Sequence, residues 1–516
     1  MTGVASMDGA PPDRGYVDVS ARFGPEHGRS AGSPLSALVA EQRSHGIRLS
    51  VAHCRVAVDF ATNVGNRAAL DVASDAANRV AALAVVDASV SSGAAAAIRD
   101  WAATGAVGFW LESREAPVGL DAETGAARFR AIAATGRPLF IPIGSSVQQP
   151  AAVSAIGRAT APLGIPVVLV GVHYSNATEA LEAAERYPNL HVETSGLAHF
   201  GAVETAVARI GHERVLFGTG GPARAHQGPL NAVLLANLPP DAKRAILGGN
   251  ASRLLGLPPA QIDLTPPPLP HDAFDVHTHY MPASAYDVPT VTNADLLPRL
   301  AGWGTTTTAS SSFNAFASDL VAGNRETVDA SAAAPGQGGL LVMHPGDLAA
   351  SAEMLARWGD APGIRGAKVH AWYAGVPTAD PRMASLFRLL ADRRMPVKIH
   401  NDGPAWDAAL GSYARAYPRL PILIAHAGLG TPSAEAARLA AEHEHVFIEF
   451  ASSFANVGAM RDAVRIAGTG KVAWGTDAPL LDPRFVLGSY MDAGVGPAAA
   501  PAVYRENGNR IFGERG

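Results

Sequence analysis

The chain has 516 residues, of which 48% are hydrophobic and 17% charged, and a net charge of −5. The length predicts two large domains or about three smaller ones, and the composition excludes a disordered chain because apolar side chains suffice for packed cores. The slight negative charge argues against a general nucleic-acid binder, and the single cysteine, Cys54, excludes an intramolecular disulfide and fits the cytoplasm.

The first residues of the chain, 1–14, carry no basic stretch followed by an apolar one. We therefore predict a disordered tail there rather than a secretory signal. No run of 18 apolar residues occurs in the sequence, so a membrane-spanning helix is not expected.

An internal repeat divides the rest of the chain. Three pairs of matching segments, offset by 257 or 258 residues, are 65–67 with 323–325, 218–222 with 475–479, and 250–256 with 507–513. Chance matches would scatter in offset and in order, so we infer two tandem copies of one domain. We place the copies at 15–257 and 272–516, joined by a proline-rich, semi-rigid linker at 258–271.

Each copy has about 245 residues, which is the usual size of a (β/α)8 barrel. In the second copy, short apolar runs alternate with helical stretches such as 383–393 and 433–443, a pattern typical of a parallel sheet. The eight candidate strands are 273–277, 305–310, 339–344, 366–370, 396–400, 421–426, 446–450 and 471–477. We therefore predict an α/β fold of two tandem TIM-like barrels; an open doubly wound sheet is the alternative that periodicity does not exclude.

Polar residues with catalytic chemistry end several of these strands in the second copy. They are His277, His344, His370, His400, His426 and Asp477. Catalytic groups of a TIM barrel project from the C-terminal ends of its strands, so these positions predict an active site. Each residue alone has an ordinary explanation, such as a core histidine or a turn-forming aspartate, and the prediction depends on their joint order along the chain.

His277 and His279 are two residues apart, which places both imidazoles on one face of a strand. Two neutral imidazoles that converge inside a barrel suit Zn²⁺ or a similar borderline metal ion. A pair of ordinary surface or core histidines is the alternative interpretation. The position after a strand, close to Asp275, favours metal binding.

The first copy serves as a control within the same chain. It replaces His277, His279, Lys368, His400, His426 and Asp477 by Ser20, Arg22, Trp110, Pro142, Gly171 and Gly220, respectively. Shared glycines and prolines, and the closing N-x-x-R motif, remain in both copies. If the replaced side chains were needed only for folding, the first copy would need them too, so we expect them to serve chemistry in the second copy alone.

The motifs DVHTHYMP, GAKVH, PVKIH, PILIAHAG, WGTDAP and ENGNRIFG occur in this order in the second copy. In this order they resemble the amidohydrolase superfamily, and most closely the amidohydrolase-related branch that includes aminocarboxymuconate-semialdehyde decarboxylase. The resemblance covers nearly all of 272–516, and it covers 15–257 only as a scaffold. It implies a distorted (β/α)8 barrel with one or two divalent metal ions at the strand ends.

The resemblance also implies roles for individual residues. The implied ligands of one metal ion are His277, His279, His400 and Asp477. His426 would be the catalytic histidine, with Asp477 as its acidic partner in proton transfer. Zn²⁺ is the expected ion, with Mn²⁺, Fe²⁺ and Co²⁺ as alternatives. Some relatives bridge two ions with a carboxylated lysine, for which Lys368 is the candidate, and several decarboxylases of the branch have a glutamate where this chain has His277.

Further residues are candidates for binding the substrate. Lys368 and Lys398 each stand two residues before a strand-ending histidine, His370 or His400, so both lysines would face the barrel interior and could bind a substrate carboxylate. Lysines that extend out of the barrel are the alternative. His370 is itself a candidate for binding the substrate. The loop aromatics Trp372, Tyr373 and Phe313 would line a pocket or merely cover the barrel mouth.

The implied activity is hydrolysis of an amide, lactone or related carbonyl bond of a small molecule by metal-activated water. Non-oxidative decarboxylation of a small carboxylic acid is the alternative that the same residues support. A third hypothesis, from a different functional class, is a non-catalytic binding protein. Members of the branch commonly pair as dimers, so we expect the first barrel to pack on the second as an intramolecular pseudo-dimer, with further homo-oligomers as an option.

Overall fold

A computed structural model describes residues 13–26, 29–87, 93–112, 123–143, 152–280, 291–401, 407–427, 433–453 and 456–513. Nearly all of the predicted N-terminal tail lies outside these residues. Arg14 is an exception, because its backbone N–H donates to the carbonyl of Gly46 at 2.9 Å. The chain divides into two compact units, Met1–Pro266 and Pro267–Gly516. No helix within the described residues is long and apolar enough to cross a membrane.

The proline-rich segment between the copies has no helix or strand, and both its ends are fixed to a barrel. On the side of the first unit, the Tyr16 hydroxyl donates to the carbonyl of Asp263 at 2.7 Å, and the side chain of Ile262 is buried. On the side of the second unit, a Cβ added at Gly304 would lie 1.9 Å from the carbonyl oxygen of Pro270. The linker bounds 258–271 stay a prediction from composition.

The first unit is a barrel of parallel strands in sequential order. Its strands are β1 (Tyr16–Glu26), β2 (Arg29–Ser33), β3 (Ile47–Cys54), β4 (Val80–Asp87), β5 (Gly108–Glu112), β6 (Leu139–Pro142), β7 (Val167–Val170), β8 (Leu190–Glu193) and β9 (Val215–Leu216). Only β2 is antiparallel, and it extends the edge beside β1. The backbone N–H of Val19 donates to Phe217 and that of Arg22 to Gly221, so β1 also joins the segment that follows β9 and the ring closes.

Helices follow the strands of the first unit. They are α1 (Leu35–Ser44), α2 (Arg55–Asp59), α3 (Thr62–Ser74), α4 (Ala94–Ala103), α5 (Glu123–Thr135), α6 (Ala152–Thr160), α7 (Ala177–Arg186), α8 (Ala202–Ile210), α9 (Gln227–Leu234), α10 (Pro240–Arg244) and α11 (Asn250–Leu255). Most bury an apolar stripe, as α7 does with Ala177, Ala180 and Leu181, and leave charged residues outside.

The second unit repeats this architecture. Its strands are β10 (Ala273–Tyr280), β11 (Thr305–Ser312), β12 (Gln337–Met343), β13 (Ile364–Val369), β14 (Val397–His400), β15 (Ile422–Ala425) and β16 (Val446–Ile448), all parallel and in sequential order. The predicted strand at 471–477 forms an extended segment instead of a regular strand. That segment still closes the ring, because Ala473 donates to the carbonyl of Ile448 and Val276 donates to that of Trp474.

Helices also follow the strands of the second unit. They are α12 (Asn293–Ala301), α13 (Phe313–Ala317), α14 (Leu320–Ala333), α15 (Leu348–Trp358), α16 (Ala371–Ala374), α17 (Pro381–Asp392), α18 (Asp407–Ala416), α19 (Ala434–Glu442), α20 (Val457–Ala467), α21 (Pro483–Asp492), α22 (Pro501–Tyr504) and α23 (Glu506–Phe512). The chain is thus two tandem TIM barrels, as predicted, and the open doubly wound alternative is wrong because both sheets close on themselves.

The residues that both copies share hold the scaffold together. Asn66 bonds both backbone groups of Val85 through its amide, and Asn324 is placed in the same way beside Val342. Each asparagine therefore ties a helix to the next strand. A Cβ added at the preceding glycine, Gly65, would lie 2.1 Å from the backbone nitrogen of Ala57, which explains why only glycine fits there.

Candidate metal centre and active site

Two histidines of β10 and one aspartate of the closing segment converge at the strand ends of the second barrel. The Nε2 atom of His279 lies 2.9 Å from Oδ1 of Asp477, and Nε2 of His277 lies 3.5 Å from the same oxygen. All three side chains are buried, and one potential ligand atom from each lies within 4.8 Å of the others. The backbone N–H of Asp477 donates to the carbonyl of His277 at 2.7 Å, so barrel closure itself brings these residues together.

A buried glutamate that the sequence analysis missed orients this group. Nδ1 of His277 lies 2.8 Å from Oε1 of Glu449, the residue that follows β16. The carboxylate of Glu449 also accepts the backbone N–H groups of His426 and Ala451. Donation from Nδ1 of His277 to Glu449 leaves the lone pair of Nε2 directed toward Asp477. The sequence does contain a signal for this residue, because both copies have a glutamate at this position, Glu193 in the first barrel and Glu449 in the second.

The other two imidazoles are oriented by backbone carbonyls. Nδ1 of His279 lies 3.1 Å from the carbonyl oxygen of Ser311, and Nδ1 of His426 lies 2.6 Å from that of Ala451. Donation from Nδ1 leaves Nε2 of each ring as an acceptor. The ring of His426 lies 4.8 Å from that of His277, so the predicted catalytic histidine is beside the predicted ligands.

The electrostatic environment sets the charges of these groups. Burial lowers the pKa of His277 well below its ordinary value, and the nearby charge of Lys398 lowers it further. Burial likewise lowers the pKa of His279 to about 4, and it lowers the pKa of His426. Burial alone would raise the pKa of Asp477, but the close approach of His279 and the positive charge of Lys368 lower that pKa to about 2. At neutral pH the imidazoles are therefore neutral and the carboxylate is ionised.

His400, the fourth implied ligand, lies at the edge of this arrangement. Its ring is 4.6 Å from that of His426 and 3.9 Å from that of His370, on which it stacks. The closest donor group comprises His277, His279 and Asp477, and His400 approaches it from the side of His426. The structure thus brings three of the four implied ligands together and places the fourth against the predicted catalytic histidine.

Both predicted substrate-binding lysines lie inside the barrel. Nζ of Lys368 is 3.3 Å from Nε2 of His277, and Nζ of Lys398 donates to the carbonyl of Val276 at 3.2 Å. Both side chains are buried, so the alternative in which they extend out of the barrel is wrong. Burial lowers the pKa of Lys398 well below its ordinary value, with a further contribution from Lys368.

Aromatic side chains form one wall beside the histidines. The ring of Phe316 lies 5.6 Å from that of His279, 5.3 Å from that of His370 and 5.2 Å from that of Tyr373. Trp372, which the sequence analysis proposed as a pocket residue, is 66% exposed and contacts Tyr373 at 4.8 Å. Phe316 is therefore nearer to the histidines than Trp372 is, and the sequence analysis did not single it out.

The backbone at two of these residues is unusual. His426 has φ of 63° and Asp477 has φ of 64°, which is the left-handed region that favours glycine. The first barrel has glycine at both places, with φ of 76° at Gly171 and 67° at Gly220. Because a residue with a Cβ costs about 1–2 kcal/mol in this region, the second barrel retains its two side chains against a local backbone preference. Such a cost is typical of functional positions.

The donor set of the second barrel fits a divalent metal ion. Two neutral imidazoles present lone pairs on Nε2, fixed by Glu449 and by the carbonyl of Ser311, and an ionised carboxylate lies between them. Nitrogen and oxygen donors of this kind suit Zn²⁺, Mn²⁺, Fe²⁺ or Co²⁺. In the first barrel Ser20 and Gly220 offer no such donors, and the Ser20 hydroxyl instead bonds Glu193.

Comparisons with known proteins agree with the repeated architecture. The family model described as amidohydrolase matches residues 28–257 and again 274–513. No curated protein matches the chain.

Solved structures similar to this chain correspond in length to one barrel. A 2-pyrone-4,6-dicarboxylic acid hydrolase of Pseudomonas putida has 16% identity and a TM-score of 0.38, covering 47% of this chain and 98% of its own. A 2,6-dihydroxybenzoate decarboxylase from Rhizobium has 14% identity and a TM-score of 0.38, covering 47% of this chain and 99% of its own. A dihydroxybenzoic acid decarboxylase of a Polaromonas species, with bound manganese and 2-nitroresorcinol, has 14% identity and a TM-score of 0.38. The match covers 48% of this chain and 98% of the decarboxylase. The two family matches together span most of the residues, and the chain therefore belongs to the amidohydrolase family.

Proposed function

We propose that the second barrel is a metal-dependent hydrolase that cleaves an amide, lactone or related carbonyl bond of a small molecule. The observation that carries this proposal is the convergence of His277, His279 and Asp477 on one point at the closed strand ends. Membership of the amidohydrolase family supports the same class of chemistry. The residues that would hold the ion are these three, with His400 as the fourth ligand.

One divalent ion, for which Zn²⁺ is our expectation, would supply Lewis acidity and a bound water whose pKa falls from 15.7 to about 7. The chain's own residues would do the rest. Asp477 has an ionised carboxylate, so one of its oxygens can take a proton from the attacking water. His426 keeps its Nδ1–H on the carbonyl of Ala451, so its Nε2 can take up the proton removed from the water and then donate it to the developing oxyanion or to the leaving group.

The alternative reaction in the same site is non-oxidative decarboxylation of a small carboxylic acid. The observation that favours it is the pair of buried lysines, because Lys368 and Lys398 bring two amino groups into a site that a substrate carboxylate could enter. The aromatic wall around Phe316 and Tyr373 would suit an apolar or aromatic body on such an acid. In this reaction Asp477 or His426 would first take up a proton from water and then deliver it to the carbon that loses carbon dioxide.

Isotope labelling separates the two reactions. The enzyme is incubated in ¹⁸O-labelled water with a panel of small lactones and amides and, separately, with a panel of aromatic carboxylic acids. The hydrolase proposal predicts one labelled oxygen in the product acid. Carbon dioxide released without label in the organic product would instead establish the decarboxylase. Activity that survives in His277→Ala would contradict both.

We also propose that the first barrel is non-catalytic and packs on the second as a pseudo-dimer. The loss of every implied ligand at its strand ends supports the first part, since Ser20, Arg22, Pro142 and Gly220 replace them. Expression of residues 267–516 alone tests the second part. A soluble fragment with full activity would contradict a supporting role of the first barrel.

A further inference from the structure

The strand ends of the first barrel carry charged and polar side chains that the proposed catalysis does not use. Arg22 of β1 pairs with His53 of β3 in the register of the two strands. In the second barrel, His279 pairs with Ser311 in the same way. Arg22 therefore takes the place of a proposed metal ligand, and its guanidinium is always protonated. A permanent positive charge thus belongs to the rim where the second barrel would hold a cation.

Both of these side chains face the barrel interior. Val51, two residues before His53, belongs to the apolar cluster that unites most strands of this barrel and fills its interior. Ala52 and Cys54, on either side of His53, pack instead with residues of α1 and α3. Side chains alternate along a strand, so His53 points inward. Arg22 has the same setting, because its two neighbours in the chain also belong to the outer cluster.

His53 is a buried imidazole whose polar atoms are unused. It is 1% exposed, and neither Nδ1 nor Nε2 has a hydrogen-bond partner among the described residues. A buried polar group without a partner destabilises a fold, so its presence here calls for an explanation. Burial lowers the pKa of His53 well below its ordinary value, and the charges of Arg22 and Arg55 lower it further. The ring is therefore neutral and offers a ligand one N–H donor and one acceptor.

Trp110 provides a flat apolar surface beside this histidine. The two rings lie 4.1 Å apart with their planes 31° apart. Trp110 stands where the second barrel has Lys368, and its Nε1 donates to Glu112 at 2.8 Å. The hydrogen-bonding atom of the indole is thus occupied. Trp110 can therefore contribute apolar contact to a ligand, which suits a flat or aromatic body.

A second arginine reaches the same strand ends. A Cβ added at Gly220, the counterpart of Asp477, would lie 3.1 Å from Cδ of Arg224. The Arg224 side chain therefore lies against the place that a carboxylate occupies in the second barrel. Burial, together with the charges of His199 and Arg224, lowers the pKa of His173 to about 3. Arg224 thus acts on the ends of β7 and of the closing segment.

The place of the predicted catalytic histidine is open in this barrel. Gly171 stands where the second barrel has His426. A Cβ added at Gly171 would have no atom of the described residues within 4 Å. Neighbouring side chains in the described part of the chain have therefore not filled the space that the missing imidazole leaves.

The charges of the two arginines can serve a ligand. The acids nearest to these strand ends are Asp18, Glu193 and Glu112. All four carboxylate oxygens of Asp18 and Glu193 already accept hydrogen bonds from backbone or hydroxyl groups. A guanidinium has five N–H donors, so an arginine such as Arg22 or Arg224 can hold a protein group and a ligand at the same time.

We propose that the strand ends of the first barrel bind a small carboxylate. Arg22 and Arg224 supply the positive charge, and a planar guanidinium matches the two oxygens of a carboxylate. His53 supplies a further N–H, and Trp110 contacts the apolar body of the acid. The first barrel thus holds an acid with the chain's own cations, at the rim where the second barrel would use a metal ion.

The test uses the full chain and 4-fluorobenzoate, with the neutral 4-fluorobenzamide as the matched ligand. Equilibrium dialysis counts the bound molecules per chain, and isothermal titration calorimetry measures their affinity. Arg22→Gln should remove one binding site per chain, whereas any site in the second barrel would persist. Arg55→Gln is the control, because Arg55 also lies near His53 but is held by Asp59 at 2.6 Å, and it should remove no site. The amide should not bind at the site that Arg22→Gln removes.

His53→Phe is the second variant, because it keeps a ring against Trp110 and removes both ring nitrogens. It should weaken binding at this site at least tenfold and raise the Tm, since no buried polar atom then lacks a partner. A histidine with a merely structural role would not link weaker binding to higher stability.

Equal numbers of sites in the wild type and Arg22→Gln would overturn the proposal, as would equal binding of the amide. Unchanged affinity in His53→Phe would overturn it as well. Because the measurement needs no turnover, it is independent of whether the proposed hydrolase activity is correct.

Discussion

The two barrels keep the same buried acids and differ in what those acids support. Asp18 accepts hydrogen bonds from Thr219, and Asp275 accepts the same bonds from Thr476. These carboxylates are scaffold groups, because both copies need them to close the ring. The comparison teaches that burial and polarity alone do not identify a catalytic residue.

The glutamates show how one scaffold group acquires a second task. Glu193 accepts backbone N–H groups of Gly171 and Ser195, and Glu449 accepts those at the equivalent places. In the first barrel this carboxylate also accepts the hydroxyls of Ser20 and Ser195, whereas in the second it bonds the imidazole of His277. The same carboxylate therefore holds the backbone in both barrels, and in the second it also orients a proposed metal ligand.

The two barrels also differ in the polarity of the side chains in their interiors. Lys368 and Lys398 of the second barrel are replaced by Trp110 and Phe140 in the first, and all four side chains are buried. A buried amine is costly unless it is paired, whereas an aromatic ring gains from burial. Apolar rings thus occupy in the first barrel the places of these buried amines, in agreement with the proposal that this copy is non-catalytic.

The largest expected effect is on turnover. His277→Ala removes a ligand and leaves Glu449 without its imidazole partner, so turnover should fall about 1,000-fold or more, since a bound metal ion supplies several kcal/mol of transition-state stabilisation. Ser20→Ala, the matched change in the first barrel, should leave turnover within about twofold. Steady-state rates measure both. Equal losses in the two variants would show that the barrels do not differ as described.

The next effect is on the pH dependence of stability. Burial, offset in part by hydrogen bonds from Thr219 and Ser20, raises the pKa of Asp18 from 3.8 to about 6. The folded state therefore holds a proton that the unfolded state releases, so this contribution to stability is complete below about pH 4 and is lost as the pH rises through 6. At about 1.4 kcal/mol per pKa unit, the loss is up to about 3 kcal/mol.

Urea unfolding of the wild type and Asp18→Asn between pH 4 and 7.5 measures this contribution. The stability of the wild type relative to the variant should fall as the pH rises, because the amide does not titrate. Asp100→Asn, at an exposed carboxylate, is the control and should leave the difference flat. Parallel curves for wild type and Asp18→Asn would contradict the raised pKa.

A smaller effect is expected on metal affinity. Glu449→Gln should weaken binding at the second-barrel site about 10- to 100-fold, because the amide does not orient His277 as the carboxylate does. Glu193→Gln disturbs the equivalent backbone contacts of the first barrel and should leave that affinity unchanged. Competition with a metal chelator measures both. A loss of affinity in Glu193→Gln as large as that in Glu449→Gln would argue for a general effect on folding.

The smallest effect concerns the left-handed backbone positions. Gly171→Ala should destabilise the fold by about 1 kcal/mol, since φ is 76° and an added Cβ would contact nothing within 4 Å. Gly470→Ala, where the space is equally open and the backbone is not left-handed, should be neutral or slightly stabilising. Thermal unfolding compares them. A neutral Gly171→Ala would show that His426, at the equivalent position, bears no backbone cost.

Much of this architecture could be predicted from the sequence. Seven of the strands of the second barrel lie close to their predicted positions, because apolar runs bounded by proline, glycine and helical stretches specify buried parallel strands. The candidates His277, His279 and Asp477 were predicted to meet, since successive strands of a closed barrel end at the same rim.

Other features could not be predicted from local patterns. Glu449 looks like an ordinary strand-ending acid, and its importance depends on contacts with His277 and His426, which are distant in the sequence. The stacking of His400 on His370 joins side chains of two different strands, which the pattern of either strand alone does not specify.

The central claim is that only the second barrel holds a cation at its strand ends. Crystals of the full chain grown with Zn²⁺ or Mn²⁺, and measured at the absorption edge of the metal, would locate the ion by its anomalous scattering. The account predicts a peak bounded by His277, His279 and Asp477, and none bounded by Ser20, Arg22 and Gly220. A peak at the strand ends of the first barrel, or none at those of the second, would contradict it.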